Sequence, residues 1–181
     1  MKQRTSMGFL IISFFVCFIV GIVLANQCGV DHFEEYGSLT KYYLISYGEK
    51  SYDPIALLLY VCKSRCLHFV LLALSTFLFR KTFVLDLYGA WCGFTYGYFF
   101  VLTIGAFGSV GSLVALASIF PQVICYLMLF FGMRSRVTSK LQMKRSERVL
   151  EIVMLLLLFI LGLLLEVYVN PWILQKVIRW I

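Results

Sequence analysis

The length of its uncharged apolar runs constrains this chain more than any other feature. Met7 to Ala25 is nineteen residues without a charge, and Thr82 to Met133 is 52 residues with one, Asp86. About 20 helical residues cross the ~30 Å hydrocarbon layer of a bilayer. Charged residues make up about a quarter of an ordinary soluble domain; here they are 14% of the chain, against 61% hydrophobic. Inside hydrocarbon every backbone N–H and C=O needs a partner within the protein, which favours helices for runs of this length. The expected fold is all-α, a polytopic membrane helix bundle with about five transmembrane helices forming a single integral membrane domain over 1–181.

The spans are expected at about 7–25, 63–81, 83–104, 112–133 and 149–169. A cleaved signal peptide is the rival reading of the first run, but the run exceeds the roughly 7–15 apolar residues of a signal core, so a retained helix is favoured. Residues 26–53 are polar and tyrosine-rich, with five acids against two lysines, and read as an outer loop. Lys63 and Arg65 interrupt the next apolar stretch and would each cost about 2.5–3.5 kcal/mol at a bilayer midplane. They are therefore placed at the outer interface, snorkelling, which leaves 54–62 as a short segment lying on the outer surface. Gly105, Gly108, Ser109 and Gly111 mark a turn between the third and fourth spans. Residues 134–148 form a basic cytoplasmic loop with six Lys/Arg and one acid. With the N-terminus inside, inner segments hold ten of the sixteen Lys/Arg, the bias that cytoplasmic loops show. The C-terminus of the multi-pass chain is then expected outside. The +7 net charge is thereby read as topology, with no nucleic-acid partner expected.

Gly89, Gly93 and Gly97 recur every fourth residue, a smooth helical stripe. Small residues let membrane helices approach closely, so these glycines are expected at a helix contact, within the chain or between copies in a homo-oligomer. Glu166 is the acid most deeply set in an apolar run. Such residues face the bundle interior or water and are functional candidates by default, the alternative being a hydrated position at the outer interface. Asn170 shares its helical face, and Asn170–Pro171 is expected to break the last span. Pro121 removes a backbone hydrogen bond and is expected to kink the fourth span, beside the polar Gln122.

No nucleophile with a base partner, phosphate-binding loop or metal-ligand spacing is present. Cys17, Cys92 and Cys125 sit in apolar stretches as small hydrophobes. Cys62 and Cys66 share a helical face, too few ligands for a zinc site. No enzyme activity, metal or cofactor is expected.

Three motifs in order carry a family resemblance: Leu85-Asp86-Leu87-Tyr88-Gly89-Ala90-Trp91-Cys92-Gly93-Phe94-Thr95-Tyr96-Gly97, then Ile119-Phe120-Pro121-Gln122, then Leu163-Leu164-Leu165-Glu166-Val167-Tyr168-Val169-Asn170-Pro171. Together they resemble the stage II sporulation protein M family, whose members carry a glycine motif on one helix, a Pro-Gln or Pro-His pair on a later one, and a glutamate before an Asn-Pro-like break. The chain departs from that pattern at Tyr88, Ala90 and Val123. The resemblance implies five helices and a membrane scaffold that localises peptidoglycan-remodelling partners, similar to stage II sporulation proteins D and P, during engulfment. The rival is a small-molecule or lipid transporter with a polar pathway near Gln122 and Glu166.

Overall fold

The computed structural model describes residues 2–29, 53–79, 82–138 and 145–180. Their regular structure is helical, with no strand among them. In chain order the helices are α1 (Lys2–Gly29), α2 (Pro54–Leu74), α3 (Thr82–Phe107), α4 (Gly111–Ile119), α5 (Gln122–Thr138), α6 (Arg145–Leu164) and α7 (Asn170–Arg179). Two wider π-turns occur, Ser75–Phe79 after α2 and Leu165–Val169 between α6 and α7. Among the described residues, four helical stretches are long and apolar enough to cross a membrane: Met7–Gln27, Pro54–Leu78, Thr82–Ile119 and Ser146–Arg179.

The helix boundaries depart from the sequence expectations at four places. First, α2 is continuous from Pro54, so the second span does not start at 63 and 54–62 is not a separate surface segment. Asp53 caps it, its carboxylate accepting from the Ile55 amide at 3.0 Å, with Pro54 in the first turn. Both features favour a helix start there, and no breaker follows before Leu74. Second, α1 runs on to Gly29, past the expected start of the outer loop; the rest of that loop, Arg80, Lys81, Lys140 and Lys144 lie outside the described residues. Third, the expected fourth span, 112–133, is divided at Phe120–Pro121 between α4 and α5. Fourth, Asn170–Pro171 does not end the last helix. The Asn170 amide donates to Leu165 O, five residues back. This π-turn widens the backbone just where proline lacks a donor and its ring would crowd an ordinary α-turn, and helix resumes to Arg179.

The basic stretch 134–148 is also only partly a loop. Residues 134–138 complete α5, and Arg134 and Arg136 are buried there.

Two compact units partition the chain. The first takes α1, α3 from Asp86, α4 to Ser118 and α7 from Trp172. Leu10, Gly21 and Ala25 are buried along one stripe of α1, and the backbones of α1 and α3 meet there. Gly93 lies on the Phe14 carbonyl and Gly97 on the Phe18 carbonyl, so the two helices run parallel. Gly21 lies in turn on the backbone of Phe94 and Tyr98. Gly108 has φ +65°, a left-handed conformation that glycine adopts without steric cost. Beyond it Gly111 touches the Thr103 carbonyl. Residues eight apart in a straight helix are about 12 Å apart, so α3 and α4 meet at a tight corner. Val114 and Ala117 of α4 pack with Leu174 of α7 in a small apolar core.

The second unit, Tyr52–Leu85 with Ile119–Pro171, is a three-helix arrangement of α2, α5 and α6. Pairs down its length fix an antiparallel register for α5 and α6: Tyr126 with Gly162, Gly132 with Leu155, and Arg136 with Glu151. On α2, Phe69 stacks on Phe159 with ring centroids 4.4 Å apart.

Candidate functional site

The polar centre of the second unit joins α2, α5 and the π-turn after α6. Arg65 donates through Nε to both Glu166 oxygens at 3.1 Å and through Nη2 to Oε1 at 2.5 Å. Tyr126 donates its hydroxyl to Glu166 Oε2 at 2.7 Å. The Arg65 guanidinium also stands 5.6 Å from the Tyr126 ring centroid. Each residue thus touches the other two. The planar guanidinium fork matches a carboxylate in this way. The Glu166 side chain is 14% exposed and that of Arg65 41%, so the acid is the sheltered partner and the base reaches outward.

Local backbone chemistry places these groups. Arg65 and Phe69 are one turn apart on α2, and the Phe69–Phe159 stack holds that turn against α6. Gly162 leaves room for the Tyr126 ring, which would collide with a methyl there. The π-turn carries Glu166; such turns re-aim side chains and recur at functional sites. One turn further on, Asn170 Nδ2 donates to the Phe120 carbonyl at 3.0 Å, bridging to the residue before Pro121. Asn170, Pro171 and Gln122 are buried.

A second charged pair lies at the other end of the α5–α6 hairpin, where Arg136 Nη1 is 3.2 Å from Glu151 Oε2. This pair explains why Arg136 is buried at a position expected to be a solvated loop.

The residues singled out from sequence therefore fall into two groups in different units. Gly93 and Gly97 face backbone on α1, and Gly89 is buried on the same stripe. Glu166 and Asn170 reach α5 and its N-terminal approach. Two members of the centre, Arg65 and Tyr126, were not foreseen. Arg65 reads from the sequence as an interface cation, and nothing in the sequence singles out Tyr126. The available signal is charge complementarity: Arg65 and Glu166 are opposite charges set within apolar stretches, and ionisable groups in such segments tend to pair. Cys62 and Cys66, expected on one face, have sulfurs 3.3 Å apart.

Searches of protein-family models, of curated proteins and of solved structures returned no match to this chain.

Proposed function

We propose that this chain is a non-catalytic scaffold embedded in a bacterial plasma membrane, holding partner proteins in place. The observation that carries the reading is the mutual engagement of Arg65, Glu166 and Tyr126. A transport pathway needs polar groups that exchange partners with a substrate or proton. Here the embedded acid is tied by a forked ion pair and a tyrosine hydroxyl to two other helices, an arrangement suited to keeping three helices in register. Large apolar side chains stand exposed in each unit, Phe9 and Ile12 in the first and Leu59, Leu150 and Leu157 in the second, surfaces suited to lipid and to other membrane helices.

In this reading the chain crosses the membrane five times, with its N-terminus cytoplasmic and its C-terminus outside. The resemblance of its ordered motifs to the stage II sporulation protein M family supports, as the proposed partner class, peptidoglycan-remodelling proteins similar to stage II sporulation proteins D and P, acting during engulfment.

The test is twofold. The polar, tyrosine-rich outer segment is proposed to recruit those partners, so replacing residues 30–52 by a short Gly/Ser linker should leave the chain in the membrane fraction while cell-wall-remodelling partners no longer co-purify with it; undiminished co-purification refutes that role of the segment. In proteoliposomes, the chain and Glu166→Gln should both show no pH-dependent flux. A robust flux lost in Glu166→Gln would establish transport instead.

A further inference from the structure

We propose that the outward stripe of α7 is a binding surface for anionic phospholipid headgroups. The proposal rests on the membrane reading above and adds a ligand class and the residues that take it.

At 100° per residue, Trp172, Lys176 and Arg179 fall on one side of α7 within about a sixth of a turn, Leu174 and Ile178 fall opposite, and Trp180 follows directly in a turn, its amide donating to the Val177 carbonyl. Burial follows this division. Leu174 is 2% exposed and packs with Val114 and Ala117 of α4, with Ile173, Val177 and Ile178 around it. Trp172 and Trp180 are 56% and 93% exposed, and Lys176 and Arg179 are exposed as well. The aliphatic face is thus occupied from within the unit, and what remains outward is a cationic-aromatic edge. Lys176 Nζ stands 3.7 Å from the Trp172 ring centroid, which holds the ammonium beside the indole rather than free in solvent.

The chemistry of that edge selects its occupant. Tryptophan concentrates at the headgroup level of membranes, where its apolar ring and polar N–H are both accommodated. No acidic side chain occurs between Asn170 and Ile181, so no side chain of the segment neutralises the two cations. A helix with buried aliphatics on one side and this edge on the other lies along an interface, and its cations favour anionic lipid. A water-facing protein partner would account for the charge but leave two exposed indoles unexplained.

The experiment uses the full chain carrying Trp91→Phe, which leaves Trp172 and Trp180 as the fluorophores among its three tryptophans. It is reconstituted in phosphatidylcholine vesicles in which an equal fraction of either phosphatidylcholine or phosphatidylglycerol bears brominated acyl chains. Brominated phosphatidylglycerol should quench more strongly, with a preference of about fivefold per cation and about thirtyfold for both at low salt. Lys176→Gln with Arg179→Gln should bring the two lipids level while quenching by phosphatidylcholine stays unchanged. Equal quenching by both lipids before those substitutions overturns the proposal. So does an absence of quenching by either lipid while the chain resists an alkaline carbonate wash, which would mean that a protein copy or partner covers the stripe. Release of the chain by carbonate would instead refute the membrane reading and remove the basis of both.

Discussion

The two units hold their helices together by different means. In the first, α1 and α3 meet backbone to backbone, through Gly21, Gly93 and Gly97. In the second, α2, α5 and the π-turn meet through long side chains: Arg65 to Glu166, Tyr126 to Glu166, Phe69 on Phe159. In the membrane reading proposed above, lipid supplies little hydrophobic drive for helix association, which leaves close packing and interhelical polar bonds as the available forces. One unit uses mainly the first and the other draws on the second. The difference implies opposite sensitivities. The glycine contact should tolerate almost no added volume, whereas the polar centre should tolerate volume but not an unmatched charge.

The largest expected effect tests the glycine contact. At Gly93 and Gly97 an added Cβ would fall inside the contact distance of the Phe14 and Phe18 carbonyls, and a carbonyl cannot move without its helix. Overpacking at the upper end costs about 3 kcal/mol per site, less about 1 kcal/mol that alanine gains over glycine in a helix. Gly93→Ala with Gly97→Ala should therefore destabilise the chain by about 4 kcal/mol, read as the shift in denaturation midpoint in mixed micelles. A shift below 1 kcal/mol would mean that α1 and α3 are not in this contact.

Next comes the polar centre. Glu166→Leu leaves Arg65 without its carboxylate and Tyr126 without its acceptor. Removing one partner of a buried pair costs about 3–5 kcal/mol, and the partial exposure of Arg65 places this case near 3. Arg65→Leu added to Glu166→Leu should recover most of that loss, because the unmatched charge is gone. If the double variant is as unstable as the sum of the singles, the two side chains do not interact and the proposed contrast between the units collapses.

A smaller effect is expected at the corner between α3 and α4. Gly108→Ala puts a side chain at φ +65°, a conformation that costs an L-residue about 1–2 kcal/mol. There is open space around the added methyl, so strain is the whole effect. Gly108→Asn, which tolerates this conformation better, should recover part of the stability in the same midpoint assay.

Much of this organisation was legible in the sequence because its signals are local. Long apolar runs, the four-residue glycine spacing and the Gly-rich stretch around Gly108 each lie within a few turns of chain. The polar centre was legible only by half. Glu166 declared itself as an acid in an apolar run, but Arg65 is 101 residues away and its pairing depends on how α2 sits against α6. The fate of Asn170–Pro171 was hidden for another reason. Proline reads as a helix end, yet the π-turn over Leu165–Val169 absorbs it, and no residue in that segment announces a change of helical register. Ser75 and Thr76 give a comparable turn a visible local cause, since both hydroxyls donate back to the Leu72 carbonyl and compete with the helical bonds there.

The smallest effect sharpens the contrast most directly, because it repeats the glycine substitution in the other unit. Gly132 of α5 faces the Cδ2 methyl of Leu155, which would lie 2.9 Å from an added Cβ. That distance is too short, but the obstacle is the end of a flexible side chain instead of a backbone carbonyl. A change of Leu155 rotamer relieves it at a cost of order 1 kcal/mol. Alanine returns about the same amount through its higher helix propensity. Gly132→Ala should therefore shift the denaturation midpoint by less than about 0.5 kcal/mol in either direction, where Gly97→Ala alone should lose about 2. Equal losses at the two positions would show that α5 and α6 also approach backbone to backbone, and that both units depend on the same kind of contact.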